Sequence, residues 1–280
     1  MLYSDLARKP PPESAISNAL ILENTAESPS ASWYLHPLVA RQKREVILEW
    51  TSRWLPRAPG GLLLKTDLFE EANGDDTLLP CLLGAARPVA AFDWLPPVAA
   101  RARRRLPDPG LLSLAADCRA LPFRSGSVSV ALSLSTLDHS ADPADFEASI
   151  SEMARVLRPG GLLLVTLDNP LNPLYWLLRL LSRMGRTPFP LGYTPPPPTL
   201  DRRLTEAGFE VLGRDWLIHN PRLLSTALFV SIERALGRRG DPLVRFLLFL
   251  FTCLGRLPVH VFSACFFATC ARRRGPEPAG

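Results

Sequence analysis

Three aspartates close three successive apolar runs of this 280-residue chain: Asp67 after "GLLLKT", Asp93 after "PVAAF" and Asp117 after "LLSLAA". A carboxylate that ends a strand at the rim of a sheet can accept hydrogen bonds from ribose hydroxyls or from an adenine amino group. Asp93 follows Asp67 by 26 positions, close to the roughly 20-residue interval between a first nucleotide loop and the acid that holds a ribose. Each aspartate alone has a plainer reading, because Asp also caps helices and opens turns. Three in consecutive units point to a nucleotide-like ligand. The loop after Asp67 resists that reading. "LFEEANG" carries one glycine, Gly74, where nucleotide loops carry two or three, and Phe69 and Glu70 cannot adopt positive φ freely.

A second group of residues follows the run "VSVALSLS" (128–135). Ser135 ends it, and Asp138 and His139 follow within four residues, where a general base could reach an acceptor. A helix cap and a loop histidine are the plain alternatives. No H-x-x-E, Cys/His or paired-carboxylate spacing suggests a metal. Neither the phosphate loop of an NTPase nor the nucleophile elbow of a hydrolase occurs.

These residues need a scaffold, and the chain spells one. Strand-like runs at 60–67, 88–93, 111–117, 128–135 and 160–168 alternate with helix-like stretches, the clearest being "PADFEASISEMARVL" with Ile150, Met153, Val156 and Leu157 on one face. Such alternation means βαβ units and a parallel sheet covered on both faces. Ligands then bind at the carboxyl ends of the strands, where the strand order reverses. Residues 1 to 57 read as a helical N-terminal extension, with a start signal at Pro10–Ser14 and an amphipathic helix at 37–50. After 168 an insert, 171–198, supplies an apolar helix and a proline-stiffened loop, "TPFPLGYTPPPP". Its Tyr175, Trp176, Phe189 and Tyr193 suit either an apolar acceptor pocket or the core. A helix at 199–209, a strand at 210–219, helices near 221–237 and 241–256 and a last strand over 259–271 complete the reading, with a loose tail at 273–280.

Composition bounds the function. With 47% apolar and 21% charged residues and a formal charge of +5, the chain can bury a sizeable core. The arginine clusters 101–105 and 272–274 read first as solvated faces and an end tag. The interleaved aromatic and basic residues of a single-strand binder are missing, so no nucleic acid partner is expected. Five cysteines without a CxxC pair argue against a zinc cluster and for a reducing, cytoplasmic setting. The runs at 246–255 and 259–271 are strongly apolar, but Arg256 and Pro258 divide them. Neither reaches the ~20 residues of a membrane span. A buried helix followed by a buried strand is the plainer expectation, and peripheral membrane contact the alternative.

The stretch 117–170 resembles a class I S-adenosylmethionine-dependent methyltransferase of the small-molecule type 11 kind. "DCRALPF" follows the third strand, and "EMARVLRPGGLLLV" leads into the fifth. Within it, "RVLRPGG" is the most specific phrase, a helix stop followed by two glycines that allow a sharp turn. The likeness runs over 58–272 and is dense only in 111–170. It implies a Rossmann-like, doubly wound α/β sheet of seven strands, mostly parallel with the last antiparallel, and helices on both faces. It also implies methyl transfer from S-adenosylmethionine to a small-molecule acceptor. Residue by residue, Asp93 would take the ribose hydroxyls and Trp94 stack on the adenine. Asp117 and the Cys118 amide would meet the adenine edge, and Ser135 would line the methionine end. Asp67 would stand at the first strand end, where the family writes an acid followed by G-x-G-x-G. "DLFEEANG" departs from that pattern, with Glu70 near the cofactor ammonium and Gly74 as the remaining glycine. The alternative it raises is a catalytically silent methyltransferase-like binding or assembly subunit. Asp93→Ala is expected to lose cofactor and keep the fold.

Overall fold

Leucines at successive positions decide how the central strands are covered. In β1 (Leu62–Thr66) Leu63 points to one face and Leu64 to the other, and both are fully buried. β5 (Leu157–Asp168) repeats this, with Leu162 and Leu164 on the first face and Leu163, Val165 and Leu167 on the second. A strand apolar on both faces belongs in the middle of a covered sheet. The computed structural model, which describes residues 36–74, 77–83, 88–186 and 191–275, places them there. β2 (Val89–Asp93), β3 (Leu111–Ala115), β4 (Val128–Leu134), β6 (Phe209–Leu217) and β7 (Phe266–Arg273) complete a sheet of order β3-β2-β1-β4-β5-β7-β6. β3 to β5 pair in parallel, and β7 runs antiparallel between β5 and β6. This is the seven-stranded, mostly parallel architecture expected from the sequence.

The first face is covered by α1 (Pro37–Trp54), α2 (Phe69–Asn73), α3 (Leu79–Leu83) and α4 (Pro96–Arg105). The second carries α5 (Pro143–Val156) and α7 (Pro197–Glu206), through Phe146, Ile150 and Met153 and through Leu200 and Leu204. α1 shares the core of the sheet: Ile47, Trp50 and Trp54 pack into it, and Trp50 Nε1 donates to Asp215 Oδ2 of β6 at 3.0 Å. Bare Gly213 makes room for Trp54, whose ring a Cβ would meet at 3.0 Å. The expected helix start at Pro10–Ser14 lies outside the described residues.

Four details differ from the sequence reading. β5 begins at Leu157, so "RPGG" is a bulged strand entry rather than a turn before it. Gly160 has φ 78°, and a Cβ on Gly161 would meet Arg158 O at 2.9 Å. The last strand starts at Phe266, because His260–Ser263 forms a helical turn, α10. Arg273 belongs to that strand, donating to Ala154 O and Gly208 O at 2.9 Å, and is no end tag. Finally, α8 (Arg222–Leu236) and α9 (Asp241–Leu254) form a small cluster with Val39 of α1 through Phe229, Ile232, Val244 and Leu248, but α9 is not a buried helix. Phe246 and Phe249 are 56% and 59% exposed. Between α5 and α7 the insert contributes α6 (Pro173–Arg183).

Candidate cofactor and acceptor site

The strand order reverses between β1 and β4, and both strands end in strained backbone. Asp67 and Ser135, the residues just past them, have φ of 64° and 50°, a region that non-glycine residues enter rarely. Asp67 stabilises its own turn, since its Oδ1 accepts from Phe69 N at 2.6 Å. Ser135 N donates to Thr166 O at 3.1 Å and to Thr166 Oγ1 at 3.0 Å, which holds β4 against β5. One step earlier on β1, Thr66 Oγ1 shares a 2.6 Å hydrogen bond with Thr136 Oγ1. Both chains are thereby turned away from the sheet at the switch point.

The loop after Asp67 takes a form that glycines would not give. α2 turns Glu71 inward, where its carboxylate accepts from Lys65 Nζ at 3.0 Å and from Leu78 N at 3.2 Å. Both charged side chains are almost wholly buried. Burial opposes the Lys65 ammonium, but Glu71, Asp67 and Glu70 around it hold its pKa above the ordinary lysine value. Lys65 also donates to Asp67 O, tying the strained turn to the ion pair. Glu70 pairs with Lys43 of α1 at 2.9 Å. Gly74 ends α2 in extended backbone and accepts from Arg105 through its carbonyl at 3.2 Å, while Arg101 donates to Asn73 Oδ1 at 2.7 Å. Two arginines of the 101–105 cluster thus clamp the loop. The buried pair escaped sequence reading, although a lysine inside a strand, one of only three lysines in the chain, is a legible signal.

Asp93 stands beside this turn and is 6% exposed. Its Oδ2 accepts from Leu68 N at 3.0 Å and its Oδ1 from Leu95 N at 2.9 Å, joining the loop to the end of β2. Burial first, and then the nearby Asp67, raise its pKa to about 6 against the pull of those two amides and Lys65. Asp93 is therefore part of the framework, which corrects the expectation that its alanine variant would leave the fold untouched. Trp94 next to it is 46% exposed. Asp117 is gripped by Arg119, at 2.7 Å to Nη2, and Arg119 reaches Asp145 of α5 at 2.7 Å. Half-buried Cys118 feels all three acids: burial first, then Asp117, Asp67 and Asp93, push its thiol up to about 12. All three strand-end carboxylates thus lie near the Cys118 thiol.

On the other side of the switch, Leu137–His139 forms a short 3-10 turn. Asp138 is buried, and its Oδ2 accepts from Asp168 N at 3.0 Å, locking the turn to the end of β5. His139 is exposed. The proline-stiffened loop closes over this turn: Tyr193 N donates to Ser140 O at 2.8 Å, and a Cβ on Gly192 would meet Asp138 O at 2.6 Å. Tyr193 itself packs edge-on to Phe146, 5.7 Å between ring centres, and so serves the core. Phe189 lies outside the described residues.

Beyond Asp168 lies an apolar cavity of about 220 Å³, lined by Asn172, Tyr175 and Leu178 of the insert, Leu224 of α8 and Cys265 before β7. Asn172 caps α6 by accepting from Leu174 N at 2.9 Å and donates to Ala264 O at 3.0 Å, which fixes the insert to the start of β7. Tyr175 lines the cavity, whereas Trp176 is 59% exposed. Because Asp168 pairs with Phe266 at the end of β5, this cavity opens on the same sheet edge as the acids. No group of three or more potential metal ligands occurs among the described residues.

Comparison with known proteins gives this geometry its setting. Residues 72–165 match the model of a methyltransferase domain family. Over that stretch the chain is similar to methyltransferase domains. The match begins at Ala72, inside the divergent loop, and leaves β1 and the Asp67–Glu71 turn outside it. A probable S-adenosylmethionine-dependent methyltransferase of Mycobacterium tuberculosis is 29% identical over 167 residues, 56% of this chain and 53% of that protein. The chain thus spans about half the length of this relative. Two solved structures share the fold of the domain. One is a chain from a complex of the Haloferax volcanii Trm112 methyltransferase activator, with TM-score 0.56 and 15% identity over 92% of this chain and 97% of that one. The other is Haemonchus contortus phosphoethanolamine N-methyltransferase 2 with S-adenosylhomocysteine, with TM-score 0.54 and 15% identity over 84% of this chain and 53% of that one.

Proposed function

We propose that this domain transfers a methyl group from S-adenosylmethionine to a small apolar or aromatic acceptor. The observation that carries the reading is a division of one sheet edge. Three convergent acids flank the strained switch point, and an apolar cavity of about 220 Å³ lies two strands away. The residues present fit the cofactor. Each Asp93 oxygen holds one backbone amide and retains a second lone pair for a ribose hydroxyl. Exposed Trp94 offers a face for adenine, the half-exposed Asp117 and the Cys118 amide its polar edge, and Asp67 and Ser135 the amino-acid end. The bound cofactor supplies a methyl group already activated on a sulfonium, so alignment is the main task of the protein.

The protein performs that task with rigid parts. Asp138 fixes the turn that presents His139, and Gly192 lets the proline-stiffened loop press on the same turn. Leu178 of α6, with Tyr175, gives the acceptor side its buried apolar wall. His139, exposed at the end of this turn, accepts a proton from acceptors that must lose one, with Asp138 as its positioning residue.

Calorimetric titration with S-adenosylhomocysteine tests the reading, since the demethylated product needs no acceptor. Saturable binding is expected, weakened roughly 10- to 100-fold in Asp93→Asn, the loss of one charge-assisted hydrogen bond. His139→Ala should keep that affinity and lower turnover roughly 100-fold or more for an acceptor that must be deprotonated. One observation favours a second reading, a silent binding or assembly subunit: Glu70 and Glu71 of the divergent loop are both paired within the chain, with Lys43 and Lys65. Folded protein that fails to bind S-adenosylhomocysteine at millimolar concentration would establish that alternative.

A further inference from the structure

Apart from Arg245 and Thr252, the exposed middle of α9 is apolar. Val244 and Leu248 face the protein, yet Leu243, Phe246, Phe249 and Leu250 on the remaining surface are exposed by 43% to 59%. Ordinary surface helices place charges there. The apolar surface continues past the helix end through Val259 and Phe262, 54% and 55% exposed. This linking segment is held in place and is not loose chain. Asn169 Nδ2 donates to Val261 O at 2.7 Å, and His219 Nδ1 lies 2.8 Å from Ser263 Oγ. Asn169 and Asn172 in turn begin the insert that carries α6, whose Trp176 and Leu180 are 59% and 55% exposed. The apolar surface therefore spans three elements along one edge of the sheet, far more than scattered surface leucines need explaining.

Charge says what covers it. Between 224 and 262 stand five arginines, at 234, 238, 239, 245 and 256, against Glu233 and Asp241 alone. All five arginines are exposed. We infer that this face docks on the surface of an anionic lipid bilayer, with α9 lying in the interface and the arginines at the headgroups. An apolar helix surface edged by arginine is the composition that interfacial binding requires. A second copy of the chain fits less well, because a two-fold dimer through this face would set the arginines of one copy against those of the other. No described helix is long and apolar enough to cross a membrane, so the contact is peripheral. Leu174, Leu177 and Leu224 are exposed here and also line the cavity. Docking thus turns the cavity mouth toward the lipid.

Sedimentation of the full chain with vesicles tests this without cofactor or acceptor, so its outcome is independent of methyl transfer. The chain is expected to pellet with phosphatidylcholine vesicles containing phosphatidylglycerol, at least about tenfold more than with phosphatidylcholine alone, and to be released by high salt. Phe246→Asp with Phe249→Asp should abolish binding while the unfolding midpoint stays near wild type, since both side chains are exposed. Arg238→Glu with Arg239→Glu should weaken binding only to the anionic vesicles, by about tenfold or more. Absence of binding to either vesicle would overturn the inference. So would binding indifferent to the phenylalanine changes, or a dimer that those changes dissociate in vesicle-free solution.

Discussion

The two ends of one sheet edge solve opposite problems. At β1 and β2 the edge is polar and closed: Lys65, Glu71 and Asp93 are buried with their hydrogen bonds made inside the chain. At β5, β7 and β6 it is apolar and open, with a cavity and a row of exposed phenylalanines and leucines. A charged group can be buried only with its partners, whereas an apolar group can be left exposed at modest cost until something covers it. The closed end is held in one shape by its own hydrogen bonds. The open end leaves apolar surface and a cavity uncovered.

The strongest way to break that contrast is to open the closed end. Glu71→Gln leaves the Lys65 ammonium buried without its countercharge, and denaturant unfolding should show a loss of about 3–5 kcal/mol. Combining Lys65→Met with Glu71→Leu should recover most of it, because a well-packed apolar pair of similar volume replaces both charges. Failure to recover would mean that the loop needs the ion pair for its shape.

A pH profile gives the next largest effect. Asp93 is held at about 6 in the folded chain, above its usual 3.8, so the native state binds its proton more tightly than the unfolded state does. The resulting contribution is fully present below about pH 4 and is lost as the pH rises through about 6. It amounts to as much as about 3 kcal/mol. Asp93→Asn should flatten that part of the stability curve, and an unchanged slope would assign it to another group.

The smallest effect is chemical. Cys118, pushed up to about 12, should resist alkylation at pH 8 while exposed Cys81 reacts. Asp93→Asn, by removing one neighbouring negative charge, should raise the Cys118 rate by a few-fold, as read by mass spectrometry. Equal rates in both proteins would mean that Asp93 does not act on the thiol.

Much of this was legible in the chain. The apolar runs at 60–67, 88–93 and 128–135 gave three strands within two residues of their ends, because hydrophobic alternation is a local property that a sheet only has to accept. The strand-end acids were legible for the same reason, since a strand's last residue must lie at the rim. The family match over 72–165 covers most of 111–170, where the motifs were dense, and extends upstream of it.

What the sequence determined by itself was therefore the α/β alternation, the place of the acids and the departure of the loop after Asp67. Each follows from residue type and short-range spacing. Only the tertiary structure decided that Glu71 turns inward to Lys65, that Asp93 holds the Leu68 amide, that Asp138 locks β4 to β5, and that α9 is exposed rather than buried. These depend on which distant segments become neighbours, and no local period encodes them. An apolar helix reads the same whether its outer side is covered by protein or left bare, because hydrophobicity drives burial without naming the partner.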